Sequence, residues 1–269
     1  MGKVRLDQLL VERGLVESRA KAQALIRAGK VLVEGQLCDK PGTPVPKAVR
    51  LTLKEGPRFV SRGGEKLAAA LEAFQVDPQG KVCLDVGAST GGFTDCLLQH
   101  GAGRVHAVDV GKGQLHWKLR NDPRVVVHEG LNARHLKLEH IGEQVDLVTV
   151  DVSFISLRLV LPPLKGIVRP CGDVIALVKP QFEAGRSQVG RGGVVRDPAV
   201  HELVLARLVG WVKKNLGWSV RGAIPSPLLG PAGNIEFFLH LAPRPEEGWP
   251  YDIAELVALA HRALLGSKP

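Results

Sequence analysis

No run of this 269-residue chain approaches the roughly 18 apolar residues that a membrane-spanning helix requires, so a helical integral membrane protein is excluded. The amino terminus is charged from Lys3 onward and shows no apolar signal segment, which makes a cytoplasmic location the expectation. The four cysteines, Cys38, Cys83, Cys96 and Cys171, include no Cys-x-x-Cys pair, and the nine histidines no His-Glu-x-x-His spacing. Neither a disulfide frame nor a metal site is therefore indicated, and the thiols are expected to be reduced and mostly buried. The Gly-Lys-Ser/Thr ending of a phosphate-binding P-loop is also missing.

What is present suits a globular chain with a core: 45% hydrophobic and 23% charged residues, at a length that accommodates one large α/β domain and a small appendage. The net charge is +9 and unevenly spread, because residues 1–60 hold 12 Lys/Arg against 6 Asp/Glu. Two-thirds of the excess thus lies in under a quarter of the length, and an acidic polymer is a candidate partner.

One stretch organises the remainder: Leu84-Asp85-Val86-Gly87-Ala88-Ser89-Thr90-Gly91-Gly92-Phe93-Thr94. Val82, Leu84 and Val86 alternate as a short buried strand. The glycines permit a tight turn, and a helix begins at Gly91-Gly92 with Phe93, Leu97 and Leu98 on its apolar face. Amides exposed at such a helix start, beside a strand's carboxyl end, form a cradle where open α/β sheets take ligands. Ser89 stands where a dinucleotide fingerprint requires glycine, which removes that reading. Asp85-x-Gly87 followed by Gly91-Gly92 resembles instead the first motif of S-adenosylmethionine-dependent methyltransferases. That resemblance implies that Gly87, Ser89, Gly91 and Gly92 line the methionine portion of the cofactor, with Asp85 shaping the turn. Asp109, closing the next apolar strand, would hold the adenosine ribose, and Asn132 would approach the adenine.

Along the chain, apolar spacing predicts helices over Val4–Glu12 and over Arg19–Ala28 behind a Ser18 cap, then a hairpin around Glu34-Gly35 and a strand at Val49–Leu53. Arg5-Leu6-Asp7-x-x-Leu10 and Ser18-Arg19-x-x-Ala22-x-x-Leu25-Ile26-x-x-Gly29-x-Val31-x-Val33-x-Gly35 resemble the αL RNA-binding module of a small-subunit ribosomal protein. By that resemblance Arg5, Arg19, Lys21, Arg27 and Lys30 would face RNA phosphates and 2′-hydroxyls. The domain boundaries expected are 1–57 for this module, 58–64 for a linker whose Gly63-Gly64 pair could act as a hinge, 65–245 for a methyltransferase domain and 246–269 for a helical extension. Arg62 would help guide RNA. From Lys81 onward strands alternate with helices, which implies an α/β sheet with parallel pairing and helical layers on both faces. The predicted helices include Leu157–Lys165 and one from Pro198 through about Lys214, and Val220–Ile224 and Ile235–Leu241 finish the sheet.

Apolar strands deliver Asp151 and Lys179 to the sheet's carboxyl edge, above the glycine turn, where the two could meet. Glu236 sits in an apolar strand where a carboxylate needs a partner, and Lys66 opens a helix where a cation gains nothing from the dipole. In chain order they form a Lys-Asp-Lys-Glu set, which resembles that of the heat-shock-type (FtsJ/RrmJ-like) ribosomal RNA 2′-O-methyltransferases. With the amino-terminal module and the stretches Ser61-Arg62-Gly63-Gly64-Glu65-Lys66-Leu67, Asp151-Val152-Ser153-Phe154-Ile155-Ser156 and Lys179-Pro180-Gln181-Phe182-Glu183, the chain resembles the TlyA (hemolysin A) family over about residues 3–241. The resemblance implies a Rossmann-like methyltransferase that uses S-adenosyl-L-methionine to methylate a ribose, of cytidine, in ribosomal RNA or ribosomal subunits, with a monomer expected. Lys179 would deprotonate or polarise the 2′-hydroxyl, Lys66 would steady the developing alkoxide, and Asp151 and Glu236 would orient them. Three other readings compete: a ribosome-binding protein without catalysis, a haemolytic membrane protein, and a base N-methyltransferase. The last would use the Asp151-Val152-Ser153-Phe154 loop, which lacks both prolines of the usual base-gripping motif.

Overall fold

The computed structural model describes residues 2–54, 56–246 and 252–266. The chain divides into two compact units, Met1–Arg58 and Phe59–Pro269. In the first, Lys3–Arg5 is extended and pairs with Pro44–Pro46, so the helix expected from Val4 begins at Leu6 and runs to Glu12. The amides of Leu6 and Asp7 donate to the carbonyls of Thr43 and Pro41, partners that a further helical turn would not supply. The second helix, Arg19–Arg27, is capped by Ser18, whose hydroxyl accepts from the Lys21 amide at 3.3 Å. Leu6, Leu9, Leu10, Ala22 and Ile26 bury against Val31 and Val45. The hairpin Val31–Val33/Gln36–Leu37 turns through Glu34 and Gly35 at φ 50° and 79°, the left-handed pair that a two-residue connection demands. Leu51–Leu53 pairs on its other side.

In the second unit β1 (Val82–Val86), β2 (Arg104–Asp109), β3 (Val125–Glu129), β4 (Val145–Val150), β5 (Val168–Val178), β6 (Ser219–Pro225) and β7 (Phe237–Ala242) form one sheet, ordered β6-β7-β5-β4-β1-β2-β3. Strands β1 to β5 pair in parallel, whereas β7 runs antiparallel to both β5 and β6. The expectation of parallel pairing fails at that edge because residues 226–236 join β6 to β7 without a helix, and so short a return reverses direction. Strand alternation sends Leu84, Val86, Val148 and Val150 to one face, under helices Pro198–Trp211 and Ile253–Leu265. Cys83 and Leu147 face the other layer, built from helices Gly63–Phe74 and Gly92–Gln99.

Several expected boundaries move. Phe59, placed in a linker by the sequence, is 2% exposed in the core of the second unit. Gly64 makes that burial possible, since a Cβ there would lie 2.2 Å from the Phe59 ring; it is a packing glycine rather than a hinge. The helix expected over Leu157–Lys165 stops at Val160 and resumes as a 3₁₀ turn, Pro162–Gly166, because consecutive prolines lack the amides to continue it. The helix from Pro198 ends at Trp211 and passes into a π turn closed by Gly217. The carboxyl-terminal segment is less an extension than a layer of the core, with Leu256, Val257 and Ala260 buried; residues 247–251 and 267–269 of that segment lie outside the described residues. None of the four cysteines is joined in a disulfide, and only Cys83 and Cys96 are buried, while Cys171 is exposed on the bent start of β5. Among the described residues no helix is long and apolar enough to cross a membrane, and no cluster of His, Cys, Asp and Glu could hold a metal ion.

Candidate active site

The turn after β1 takes Gly87, Ser89 and Gly91 through φ values of 87°, 49° and 97°. Gly87 has a second reason to be glycine: a Cβ would lie 2.4 Å from the Asp151 carbonyl oxygen. The ends of β1 and β4 are thus pressed together, and the Asp151 amide donates to the Val86 carbonyl at 2.9 Å. This puts the Asp151 side chain at the lip of the turn.

Register explains the rest. Val178 at the end of β5 stands opposite Phe237 at the start of β7, so the residues just beyond, Lys179 and Glu236, arrive at the same sheet edge from opposite directions. Lys66, from the first turn of Gly63–Phe74, reaches Glu236 with Nζ to Oε2 at 2.5 Å. Lys179 Nζ donates to Ser153 Oγ at 2.8 Å and lies 2.6 Å from Asp151 Oδ1, a charge contact off the axis of a directed hydrogen bond. The set therefore forms two ion pairs, Lys66–Glu236 and Lys179–Asp151, around one cleft of about 290 Å³. Glu236 is wholly buried, and its Oε1 has no hydrogen-bond partner among the described residues. Burial pushes its carboxyl above the usual carboxylate range; the charge and hydrogen bond of Lys66 and the charge of Lys179 oppose that rise, while Asp151 adds to it. The two pairs thus act on one another.

Of the residues expected to bind cofactor, Gly87, Ser89 and Gly92 line the cleft, as does Arg62. Asp85 does not. Its strand position points it into the helical layer, where its oxygens accept from Thr94 Oγ1 at 2.7 Å and Thr149 Oγ1 at 3.2 Å. Burial raises its carboxyl to about 7, so it braces the turn from behind instead of meeting a ligand. Gly91 caps the following helix and leaves room for Leu119, which a Cβ would meet at 2.2 Å. Asp109 holds the turn itself: its Oδ2 accepts from the Ser89 amide and its Oδ1 from the Gly111 amide, both at 2.7 Å. Each of its oxygens has a further lone pair, and Asp109 lies outside the cleft lining. Asn132 is exposed outside the cleft lining and caps a 3₁₀ turn by accepting from the Arg134 amide at 3.0 Å. Sequence reasoning missed Ser61, Thr90, Ser153 and Pro231 as lining residues. Ser153 carried a signal, a hydroxyl two residues past Asp151, whereas Pro231 comes from a connection with no motif. Phe154 was also missed: it is 90% exposed at φ 63°, beside Phe182 at a ring separation of 5.1 Å.

A family model described as FtsJ-like methyltransferase matches residues 59–242, and one described as S4 domain matches residues 4–50. A Mycobacterium tuberculosis protein named 16S/23S rRNA (cytidine-2'-O)-methyltransferase TlyA is 52% identical over 244 residues, covering 89% of this chain and 90% of that protein. The chain belongs to the TlyA/hemolysin A family of methyltransferases. Another relative, named Hemolysin A, from Brachyspira hyodysenteriae, is 40% identical over 238 residues, 88% of this chain and 99% of that one. The solved structure of a Streptococcus thermophilus protein assigned as a hemolysin superposes with a TM-score of 0.75 at 44% identity, covering 99% of this chain and 98% of that one. In this TlyA/hemolysin A chain the cleft and both ion pairs fall inside the FtsJ-like match, and the basic residues expected to face RNA fall inside the S4 match. Of those, Arg5 and Arg19 converge on Asp7, Lys21 lies 3.3 Å from Glu17, Arg27 is exposed and Lys30 half-buried.

Proposed function

We propose that this protein transfers a methyl group from S-adenosyl-L-methionine to a ribose 2′-hydroxyl of ribosomal RNA, at cytidine, the nucleoside that the Mycobacterium tuberculosis relative's name specifies. The observation that carries this reading is the pair of ion pairs converging on one cleft beside the glycine turn. The cleft also fits the cofactor: its wall from Gly87 to Thr90 is largely backbone, and Asp109 anchors that wall with acceptor capacity to spare. Bound there, S-adenosylmethionine supplies an electrophilic methyl on a sulfonium.

The chain's own residues address the other reactant. A ribose hydroxyl is a weak nucleophile at neutral pH, so orientation and stabilisation of developing oxyanion character must supply most of the rate. An ammonium has three N–H groups. Ser153 and Asp151 engage Lys179 from one side, which leaves donor capacity for a substrate oxygen and fixes the direction from which that oxygen is held. Lys66, with Glu236 behind it, supplies a second positive charge at the same cleft. Phe154 offers an exposed ring on the loop that carries Asp151 and Ser153, a surface on which a base can stack once its ribose enters. Ribosomal RNA as substrate places the reaction in the cytoplasm and assigns to the S4 residues Arg5, Arg19, Lys21, Arg27 and Lys30, and to Arg62, contacts with the RNA backbone.

The test is methyl transfer from labelled S-adenosylmethionine to isolated ribosomal subunits by the full-length protein, with nucleoside analysis of the product. Wild type yields 2′-O-methylcytidine. Lys179→Ala lowers kcat by about 10²–10⁴, the usual worth of a positioned proton-transfer or charge-stabilising group, while cofactor affinity is retained. A methyl group on a nucleobase, or full activity in Lys179→Ala, overturns the reading.

A further inference from the structure

Asp7 lies in the first turn of helix Leu6–Glu12 and is fully buried, a rare place for a carboxylate. Four hydrogen bonds converge on it. Arg5 Nε donates to Oδ1 at 3.0 Å, and Arg5 Nη2, Arg19 Nε and Gln23 Nε2 donate to Oδ2 at 3.1, 2.9 and 2.9 Å. The Arg5 guanidinium is also held against Gly42, where a Cβ would come within 3.1 Å of Nη1. Both arginine side chains nevertheless remain about half exposed, at 46% and 51%. An acid needed for core stability alone would be poorly placed, because an apolar residue fills a buried site at least as well. This acid instead takes two long cations from different segments and fixes their orientation, while most of their N–H groups have no partner among the described residues.

We propose that Asp7 is a positioning residue for RNA binding, which locks Arg5 and Arg19 into a preformed two-fork clamp for the phosphates of structured RNA. The proposal rests on the ribosomal RNA reading above. An arginine side chain carries about 2 kcal/mol of rotamer entropy, so ordering it during folding removes a cost from the binding step. The planar forks match phosphate oxygens bidentately, which lysines in the same places would not do.

The proposal and simple charge attraction predict opposite signs. Asp7→Asn adds one unit of positive charge, so charge attraction alone would tighten RNA binding, whereas loss of the clamp weakens it. The expected result, with isolated ribosomal subunits at fixed salt and the full-length protein, is a Kd about 10-fold higher for Asp7→Asn. The double variant Arg5→Lys with Arg19→Lys retains Asp7 and the net charge but loses the forks, and a comparable weakening is expected. That double variant keeps the test decisive if Asp7→Asn disturbs folding of the first unit. Equal or tighter binding by a folded Asp7→Asn, or wild-type affinity in the lysine pair, overturns the clamp. If wild type methylates ribosomal RNA while both variants bind normally, only this inference fails; if wild type methylates no ribosomal RNA, the functional reading fails first.

Discussion

Replacing Lys66 by Met tests the buried ion pair most directly. Glu236 is fully buried, one oxygen already lacks a hydrogen-bond partner among the described residues, and the other sits 2.5 Å from the Lys66 ammonium. Lys66→Met keeps the apolar stem of the side chain but removes the ammonium and leaves the carboxylate uncompensated, a change worth about 3–5 kcal/mol. At roughly 2–4 °C per kcal/mol for a unit of this size, the melting temperature should fall by about 6–20 °C at pH 8. The loss must depend on pH in a fixed sense. Burial already holds the Glu236 carboxyl above its ordinary value and Lys66 pulls it back down, so removing Lys66 raises it further. A carboxyl whose folded value exceeds the unfolded one contributes stability that is present at low pH and disappears as pH rises through the folded value. Urea unfolding at pH 5, 6.5 and 8 should therefore show Lys66→Met near wild type at pH 5 and progressively weaker above it. The double variant Lys66→Met/Glu236→Gln should recover much of the stability at pH 8 and lose the extra slope, without recovering methyl transfer. A single variant with an unchanged midpoint at pH 8, or one weakened equally at pH 5 and pH 8, would refute the reasoning.

Asp85 supplies a second pH effect. Its carboxyl is raised from an ordinary value near 3.8 to about 7, chiefly by burial, so the stability it contributes is present below about pH 4 and is lost as pH climbs through 7. Three units correspond to at most about 4 kcal/mol, and Asp85→Asn should flatten the pH dependence of unfolding over that window; an unchanged slope counts against the brace. Phe154 holds an exposed ring in a left-handed backbone conformation that costs a non-glycine residue about 1 kcal/mol. Phe154→Gly should leave stability equal or higher by that amount, yet raise KM for ribosomal subunits about 10-fold through the lost stacking surface. An unaltered KM would remove Phe154 from the substrate path.

The four residues of the two ion pairs were legible because each broke a local rule: a cation at a helix start, polar residues ending two apolar strands, a carboxylate among phenylalanines. That Asp151 and Lys179 could meet was legible as well; that Glu236 takes Lys66 was not. That second pair depends on β7 running against β5, and the direction of a strand follows from its connections and neighbours rather than from its own alternation. The same alternation does show why Asp85 misses the cleft. Cys83 and Asp85 share a strand face, and Cys83 is buried in the helical layer. Ser61 and Pro231 lie in segments without periodicity, so only the folded chain discloses that they line the cleft. The linker was misplaced for a related reason, since the Pro57-Arg58 break is real but the contact that buries Phe59 depends on the missing side chain of Gly64.

Charge is apportioned between the two units in a way that fits their separate tasks. The two ion pairs of the cleft are formally neutral as a set, and Arg62 on the lining leaves a net of one positive charge, which has little reach beyond the walls. Drawing a polyanion from a distance requires net charge, and the excess is concentrated in residues 1–60. Adding cations to the cleft would strengthen long-range attraction but would unbalance Glu236 and Asp151, on which the orientation of both lysines depends. Keeping the attractive charge in the S4 unit avoids that conflict. Salt should accordingly weaken subunit binding steeply while changing turnover of the bound complex far less, because Lys66–Glu236 is buried and Lys179–Asp151 half-buried, so that both are screened less than the surface charges.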